Sequence, residues 1–303
     1  MEIHIRHPNS KQELAERDAL LEQYIWKDLP SDSSICQEYP LVLGEENRSN
    51  SYCLFSHDRL VGHFNYFKRN LNNPSNTEIA LIGNVVIHES MQKKGLMKRM
   101  LNSTLLADEN QKTVTVLWSD EPAIYQSLGF KPFGQEYRYT FRKLKEPSPH
   151  LFHYEMASDL SDQDVATLLQ LRGTQFWTPK RTIQEMKVLL TIPNCSLMLH
   201  RNGLGVITEF LVVGRGMDFI ATIHEWGGCD PYILRQGVNQ ILELTQWEYV
   251  MMIAPKDLLD DVYWKFLFQD GELRKTHMAL GRFPLGCDQE AMSQSFFWGL
   301  DSI

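Results

Sequence analysis

The order strand–helix–strand–strand–strand–helix–strand–helix runs twice along this 303-residue chain. In the first pass, alternation over residues 2–6 predicts a short strand. Residues 11–26 predict a helix, with Leu14, Leu20 or Leu21, and Tyr24–Ile25 spaced for one buried face. Strands at 52–55 and 60–67 flank a Ser-His-Asp-Arg turn, and an Asn-, Pro- and Ser-rich loop covers 71–77. A strand at 79–87 leads to a helix over 95–110, whose Leu96, Met97, Met100, Leu101 and Leu105 recur at three- and four-residue steps. After a strand at 113–118, Pro122 opens a short helix to 128 and Gly129 supplies its left-handed C-terminal residue. Residues 133–144 are aromatic-rich and extended.

The stretch Lys-Glu-Pro-Ser-Pro-His at 145–150 reads as a domain boundary. Beyond it, strands at 153–156, 195–199, 205–213, 218–226 and 250–253 alternate with helices at 159–171, 230–247 and 258–268. Ser158 or Asp159 caps the first of these helices, and Asp230 with Pro231 starts the second. A repeated domain is the simplest account, with one copy in 1–145 and the other in 151–303. The length supports two cores rather than one.

Thirty basic and 38 acidic residues give a net charge of −8. That opposes broad nucleic-acid binding, which needs a basic face. It is compatible with a neutral or cationic small partner. No apolar run is long enough to span a bilayer, and the N-terminus lacks a secretory pattern. Cys36, Cys53, Cys195, Cys229 and Cys287 are scattered without a CxxC pair, so no zinc site or other metal site is expected. The expectation is a soluble cytoplasmic protein with no membrane contact; oligomeric state is not readable.

Residues 85–97 read VVIHESMQKKGLM. A buried strand passes through a polar turn into a helix, whose first N–H groups lack intrahelical acceptors. Those donors and the helix dipole favour an anion, and Gly95 leaves the backbone bare. Lys93 and Lys94 add charge. On these residues alone an ordinary solvated turn is the default reading. One helix and one strand later comes AIYQSLGF at 123–130.

Together the two stretches resemble the GCN5-related N-acetyltransferase (GNAT) superfamily. Its strand–loop–helix motif ends in Gln/Arg-x-x-Gly-x-Gly/Ala, and Gln92, Lys93, Lys94, Gly95, Leu96 and Met97 occupy it, with Met97 in place of the small residue. Ala123, Tyr125, Gly129 and Phe130 match the later Ala-x-Tyr-x-x-x-Gly-Phe pattern. The resemblance implies an α/β fold of two GNAT-like domains, each a mostly antiparallel mixed sheet with a splayed central strand pair and flanking helices. It implies acetyl-CoA as co-substrate. The backbone amides of Gln92, Lys94, Gly95 and Met97 would meet its diphosphate, and Val85, Val86 and Ile87 would pair with its pantetheine arm. Tyr125 would protonate the departing thiolate.

The usual base positions on the central strand are Leu81 and Gly83, which cannot take a proton. Glu78, His88 and Asn84 lie nearby, the last as a candidate to hold a water in the catalytic site. In the second half, HEWGGCDPY stands where the phosphate loop belongs, without Lys or Arg and with Asp230 opposed to phosphate. This copy is read as degenerate. Its Glu225 and Trp226 are candidates for binding a cationic amine; the alternative is a core indole and a solvated carboxylate. The expected function is N-acetylation of a primary amine on a small molecule or peptide. The alternative is a non-catalytic acyl-CoA-binding or regulatory protein.

Overall fold

A computed structural model describes residues 2–27, 33–107, 111–143, 149–172, 177–245, 247–255 and 264–301. Its elements in chain order begin with β1 (Ile3–Arg6), α1 (Lys11–Tyr24), α2 (Ile35–Glu38), α3 (Pro40–Leu43), β2 (Ser51–Ser56), β3 (Arg59–Asn70) and β4 (Glu78–Ile87). They continue with α4 (Leu96–Leu105), β5 (Val114–Leu117), α5 (Pro122–Gln126), β6 (Lys131–Phe133) and β7 (Glu136–Arg142). Then follow β8 (His153–Glu155), α6 (Asp162–Leu171), α7 (Ile183–Leu189), β9 (Ser196–Arg201), β10 (Ile207–Val213) and β11 (Thr222–Gly228). The remainder is α8 (Pro231–Leu244), β12 (Tyr249–Pro255), α9 (Lys265–Phe268), β13 (Glu272–Thr276), β14 (Ala279–Arg282) and α10 (Gln289–Met292).

These elements make two compact units, each around one seven-stranded mixed sheet. The first sheet has the order β1-β2-β3-β4-β5-β14-β6, the second β13-β7-β12-β11-β10-β9-β8. The units do not divide at residues 145–150. Unit one is residues 1–133 with 279–293, and unit two is 134–278 with 294–302. β14, late in the chain, lies between β5 and β6, while β7 lies between β12 and β13. The aromatic alternation at 133–144 does mark a strand, but it carries no mark of which sheet the strand joins. Tyr139 of β7 stacks on Phe268, with ring centroids 4.3 Å apart.

In unit one the sheet is covered on both faces. Val61, Phe64, Tyr66, Ala80 and Ile82 pack with Leu96, Met100, Leu101 and Leu105 of α4. On the other face Leu20 and Leu21 of α1 meet Cys53, Phe55, Leu60 and Val86. Burying a side chain of this size contributes about 1.5–3 kcal/mol, so these two faces hold the strands of the site in place.

Local signals set several boundaries. Ser10 accepts from the Glu13 amide and starts α1. Gly129 has φ +87°, the left-handed residue expected after α5. The cap of α6 is Ser161, whose hydroxyl accepts from the Asp164 amide; the helix starts later than Ser158 or Asp159 because only Ser161 has the Ser-x-x-Asp reciprocal cap. Asp230 and Pro231 start α8 as the sequence predicts. Among the described residues, no helix is long and apolar enough to cross a membrane.

Candidate active site

The two central strands of unit one run parallel but pair only from Ile79–Val114 to Ile82–Leu117. β5 ends there, while β4 continues to Ile87 paired with β3 on its other side. The β5-facing edge of β4 is therefore open over Gly83, Asn84, Val85, Val86 and Ile87. Asn84 has φ +51°, and the β3–β4 register slips around it. Before this bulge Ala80 and Ile82 face the α4 core; after it Val85 and Ile87 do, and Val86 faces the α1 core. A bulge of one residue reverses the alternation of everything beyond it.

β4 then enters a tight turn: a single 3-10 turn at Glu89–Met91, then Gln92, Lys93 at φ +60°, Lys94 and Gly95 at φ +72°. The first intrahelical bond is the Arg99 amide to the Gly95 carbonyl. The amides of Lys93, Lys94, Gly95, Leu96, Met97 and Lys98 have no acceptor among the described residues. A Cβ built on Gly95 meets nothing within 4 Å, so the space over this turn is open. Glycine is required there by its positive φ, not by crowding within the protein.

Three expected contacts are corrected. The Gln92 amide is not a free donor, because it already donates to the Glu89 carbonyl at 3.2 Å. The Gln92 side chain donates to the Ile87 carbonyl at 3.0 Å, which removes that carbonyl from the open edge. Lys94 Nζ folds back on the turn and donates to the Ser90 carbonyl at 2.8 Å. Lys93 stays exposed, as do Lys98 and Arg99 in the first turn of α4. Lys98 and Arg99 lie three and four residues past Gly95, a spacing from the helix start that the sequence carries. Leu96 is buried, and Met97 packs against the α4 core.

Tyr125 lies on α5 among Leu96, Met100 and Phe130, 8 % exposed. Its ring meets Phe130 edge-on at 6.0 Å. The hydroxyl makes no hydrogen bond to a described residue and is not sealed from solvent. Burial, helped by Glu121, pushes its pKa above the usual phenol value. The phenol is thus a protonated donor at neutral pH.

The other sequence candidates have partners elsewhere. Glu78 begins β4, far along the strand from its open edge, and pairs with Lys68 at 3.2 Å. His88 bonds Ser90 through Nδ1 and stands 3.4 Å from Arg59 through Nε2. Asn84 turns inward, its Nδ2 donating to Asn65 Oδ1 at 3.0 Å. His63 Nδ1 donates to the Asn84 carbonyl at 3.0 Å. His63 was not among the sequence candidates; an apolar-looking strand interior gave no sign that its imidazole meets a bulge.

Unit two repeats the geometry but fills it. β11 and β12 run parallel and pair only at Thr222–Met251 and Ile223–Met252. Trp226 Nε1 donates across the gap to the Ile253 carbonyl at 2.8 Å. At the start of α8, Asp230 Oδ1 accepts from the amides of Tyr232 and Ile233 at 2.8 and 3.3 Å, so a carboxylate already occupies this helix end. Glu225 and Trp226 are not open to an acceptor. Trp226 is 3 % exposed and packs among Trp264, Phe268 and Trp298. Glu225 is fully buried between Arg172 and Arg181. A full carboxylate this deep persists only when paired, a constraint that residue type alone does not reveal. In element order YWKFLF at 263–268 parallels YQSLGF at 125–130; Leu267, buried, stands at the position of Gly129, and Tyr263 lies outside the described residues.

Burial also holds two histidines neutral. His63 and His224 are each pulled down to about 3, first by desolvation. The unfolded chain takes up these protons near pH 6.5, and the native protein does not until about pH 3. Stability is therefore full above pH 6.5 and falls as pH drops, by up to about 1.4 kcal/mol per pH unit for each histidine. Urea unfolding at pH 7 and pH 5 is expected to show this loss, and His63→Asn to reduce it for unit one. Equal stability at both pH values rules the effect out.

Residues 17–133 match a family model described as an acetyltransferase (GNAT) domain. That stretch, under half of the chain, is similar to a GNAT acetyltransferase domain. No curated protein sequence matches the chain significantly. Among solved structures, a conserved protein from Enterococcus faecalis V583, described as a probable N-acyltransferase, aligns with TM-score 0.69 at 14 % identity, over 94 % of this chain and 73 % of that one. A GCN5-related N-acetyltransferase from Kribbella flavida aligns with TM-score 0.65 at 12 % identity, over 92 % and 71 % of the two chains. Saccharomyces cerevisiae N-myristoyltransferase, solved with myristoyl-CoA, aligns with TM-score 0.57 at 11 % identity, over 93 % and 84 %. The alignments extend over both units, so the GNAT likeness of fold is not confined to 17–133.

Proposed function

We propose that unit one transfers an acetyl group from acetyl-CoA to a primary amine of a small molecule or peptide. The observation that carries this reading is the junction of an open β4 edge with a turn of unpaired amides. The edge at Val85 and Val86 offers strand-like bonds to the pantetheine amides. The amides of Lys94, Gly95 and Met97, joined by those of Lys93, Leu96 and Lys98, suit a diphosphate, and Lys93, Lys98 and Arg99 add positive charge nearby. The amine nitrogen attacks the thioester carbonyl carbon and a C–N bond forms. The C–S bond then breaks, the Tyr125 phenol gives its proton to the thiolate, the ammonium proton leaves to solvent, and the phenolate regains a proton from solvent. An amine of pKa about 10.4 must lose a proton before attack. Leu81 and Gly83 cannot accept it, so the acceptor is expected to arrive neutral or to lose its proton to water.

Unit two lacks both features the reading needs. Its strand gap is bridged by Trp226 and its helix end is capped by Asp230. On this reading it binds no acyl-CoA. The lack of a protein base at Leu81 and Gly83 favours a second reading, an acyl-CoA-binding protein without turnover.

Calorimetric titration with acetyl-CoA, together with release of free CoA thiol in the presence of a panel of primary amines, tests both. One site per chain and thiol release with at least one amine is expected. Binding with no transfer to any amine selects the second reading, and absence of CoA binding overturns both.

A further inference from the structure

A strand interior rarely holds a non-glycine residue at positive φ, and such a residue needs neighbours to keep it there. Asn84 sits in β4 at φ +51°. Between the pairs His63–Val86 and Asn65–Gly83, β3 contributes one residue and β4 two. This bulge decides which face Val85 and Val86 occupy. A one-residue slip to regular pairing would exchange them.

Asn84 is held at two points. Its carbonyl accepts from His63 Nδ1, and its side-chain amide donates to Asn65, both at 3.0 Å. Asn65 Nδ2 in turn donates to Ser51 Oγ at 3.3 Å and to the Asn50 carbonyl at 3.4 Å. Arg17 Nη1 donates to the same Ser51 Oγ at 3.1 Å, and its Nη2 to the Leu43 carbonyl at 2.7 Å. His63, Asn65 and Ser51 are fully buried, so solvent cannot substitute for these bonds.

A carbonyl can only accept, so the proton of neutral His63 is on Nδ1. Its Nε2 lone pair is then buried without a partner among the described residues. An unpaired buried acceptor costs about 1–3 kcal/mol. An apolar side chain at this position would avoid that cost, but it would leave the Asn84 carbonyl without its donor. The imidazole is explained by what its other nitrogen does.

We propose that His63 and Asn65 are positioning residues for the acyl-CoA reaction, holding Asn84 in the bulge that presents the open β4 edge to the pantetheine arm. This rests on the acyl-CoA reading of that edge. The remainder of the chain, Ser51 and Arg17, anchors Asn65 to α1.

The test is the affinity of the full chain for acetyl-CoA, measured by calorimetry on folded protein. His63→Leu fills similar space without a donor, and a rise in Kd of about tenfold is expected. His63→Asn places a side-chain amide near the former Nδ1, and recovery to within about threefold of the parent is expected. Asn65→Ala removes the acceptor for the Asn84 side chain and serves if His63→Leu does not fold. Val114→Ala, a buried substitution in β5 beside Ile79 and outside this set, controls for general loss of stability and is expected to leave Kd unchanged. Side-chain 15N spectra are expected to show His63 as the neutral Nδ1–H tautomer, lost in neither pH 5 nor pH 8 buffer. If the parent binds acetyl-CoA and the folded variants bind equally well, the positioning role is overturned. It is also overturned if His63→Asn is as impaired as His63→Leu. If the parent itself does not bind, the acyl-CoA reading fails first.

Discussion

Tyr125→Phe is expected to lower turnover with acetyl-CoA by roughly 10²–10⁴-fold, the usual contribution of a positioned general acid. Affinity for acetyl-CoA should stay within about twofold of the parent. The ring supplies the packing: it lies in the α4 core and meets Phe130, and phenylalanine keeps that volume. What is lost is one hydroxyl that has no hydrogen-bonded partner among the described residues. A purely structural tyrosine with such a hydroxyl would accept phenylalanine with little change in stability or rate. Because burial raises the Tyr125 pKa, the group stays protonated through neutral pH, so no loss of rate from its ionisation is expected on the alkaline side below about pH 10. Turnover of Tyr125→Phe equal to the parent at saturating acetyl-CoA removes Tyr125 from the mechanism.

Glu225→Ala is expected to destabilise unit two by about 3–5 kcal/mol, the range for breaking one side of a buried ion pair. Arg172 Nε and Arg181 Nη1 reach Glu225 at 2.9 and 2.8 Å, and their other nitrogens reach Asp301 at 3.0 and 2.7 Å. All four side chains are no more than 4 % exposed. Two guanidinium and two carboxylate charges cancel. Removing one carboxylate leaves a net positive charge where water cannot reach it. The paired variant Arg181→Met with Glu225→Leu keeps the Arg172–Asp301 pair and restores neutrality, so it should lose less than Glu225→Ala alone. Denaturant unfolding followed by tryptophan fluorescence reads this directly, since Trp226 and Trp298 are neighbours in this core. A loss below about 1 kcal/mol for Glu225→Ala refutes the account.

Much of the architecture was legible because it follows from local rules. Period-two and period-3.6 apolar spacing marks β4 and α4 whatever surrounds them. Positive φ at Gly95 and Gly129, Pro at the start of α5, and the Asp230 cap are decisions made within a few residues. The reciprocal cap Thr182-x-x-Glu185 that starts α7 is equally local.

The features that local rules leave open involve partners distant in sequence. β7 pairs with β12 and β13 rather than closing the first sheet, because any extended aromatic segment fits a pleated sheet and pairing depends on what lies alongside. Glu225 looked like a ligand for an amine until Arg172, Arg181 and Asp301 converged on it. The Gln92 amide looked free until the 3-10 turn placed the Glu89 carbonyl against it. His63 carried no signal in its own neighbourhood, since its role depends on a bulge in the adjacent strand, 21 residues away. Backbone conformation is set largely by each residue and its near neighbours, and so the residues alone were enough to mark β4, α4, α8 and the turn at Gly95. Burial and hydrogen-bond partnership are set by chain segments that meet only on folding, and those decided which of the exposed-looking polar groups remain available to a substrate.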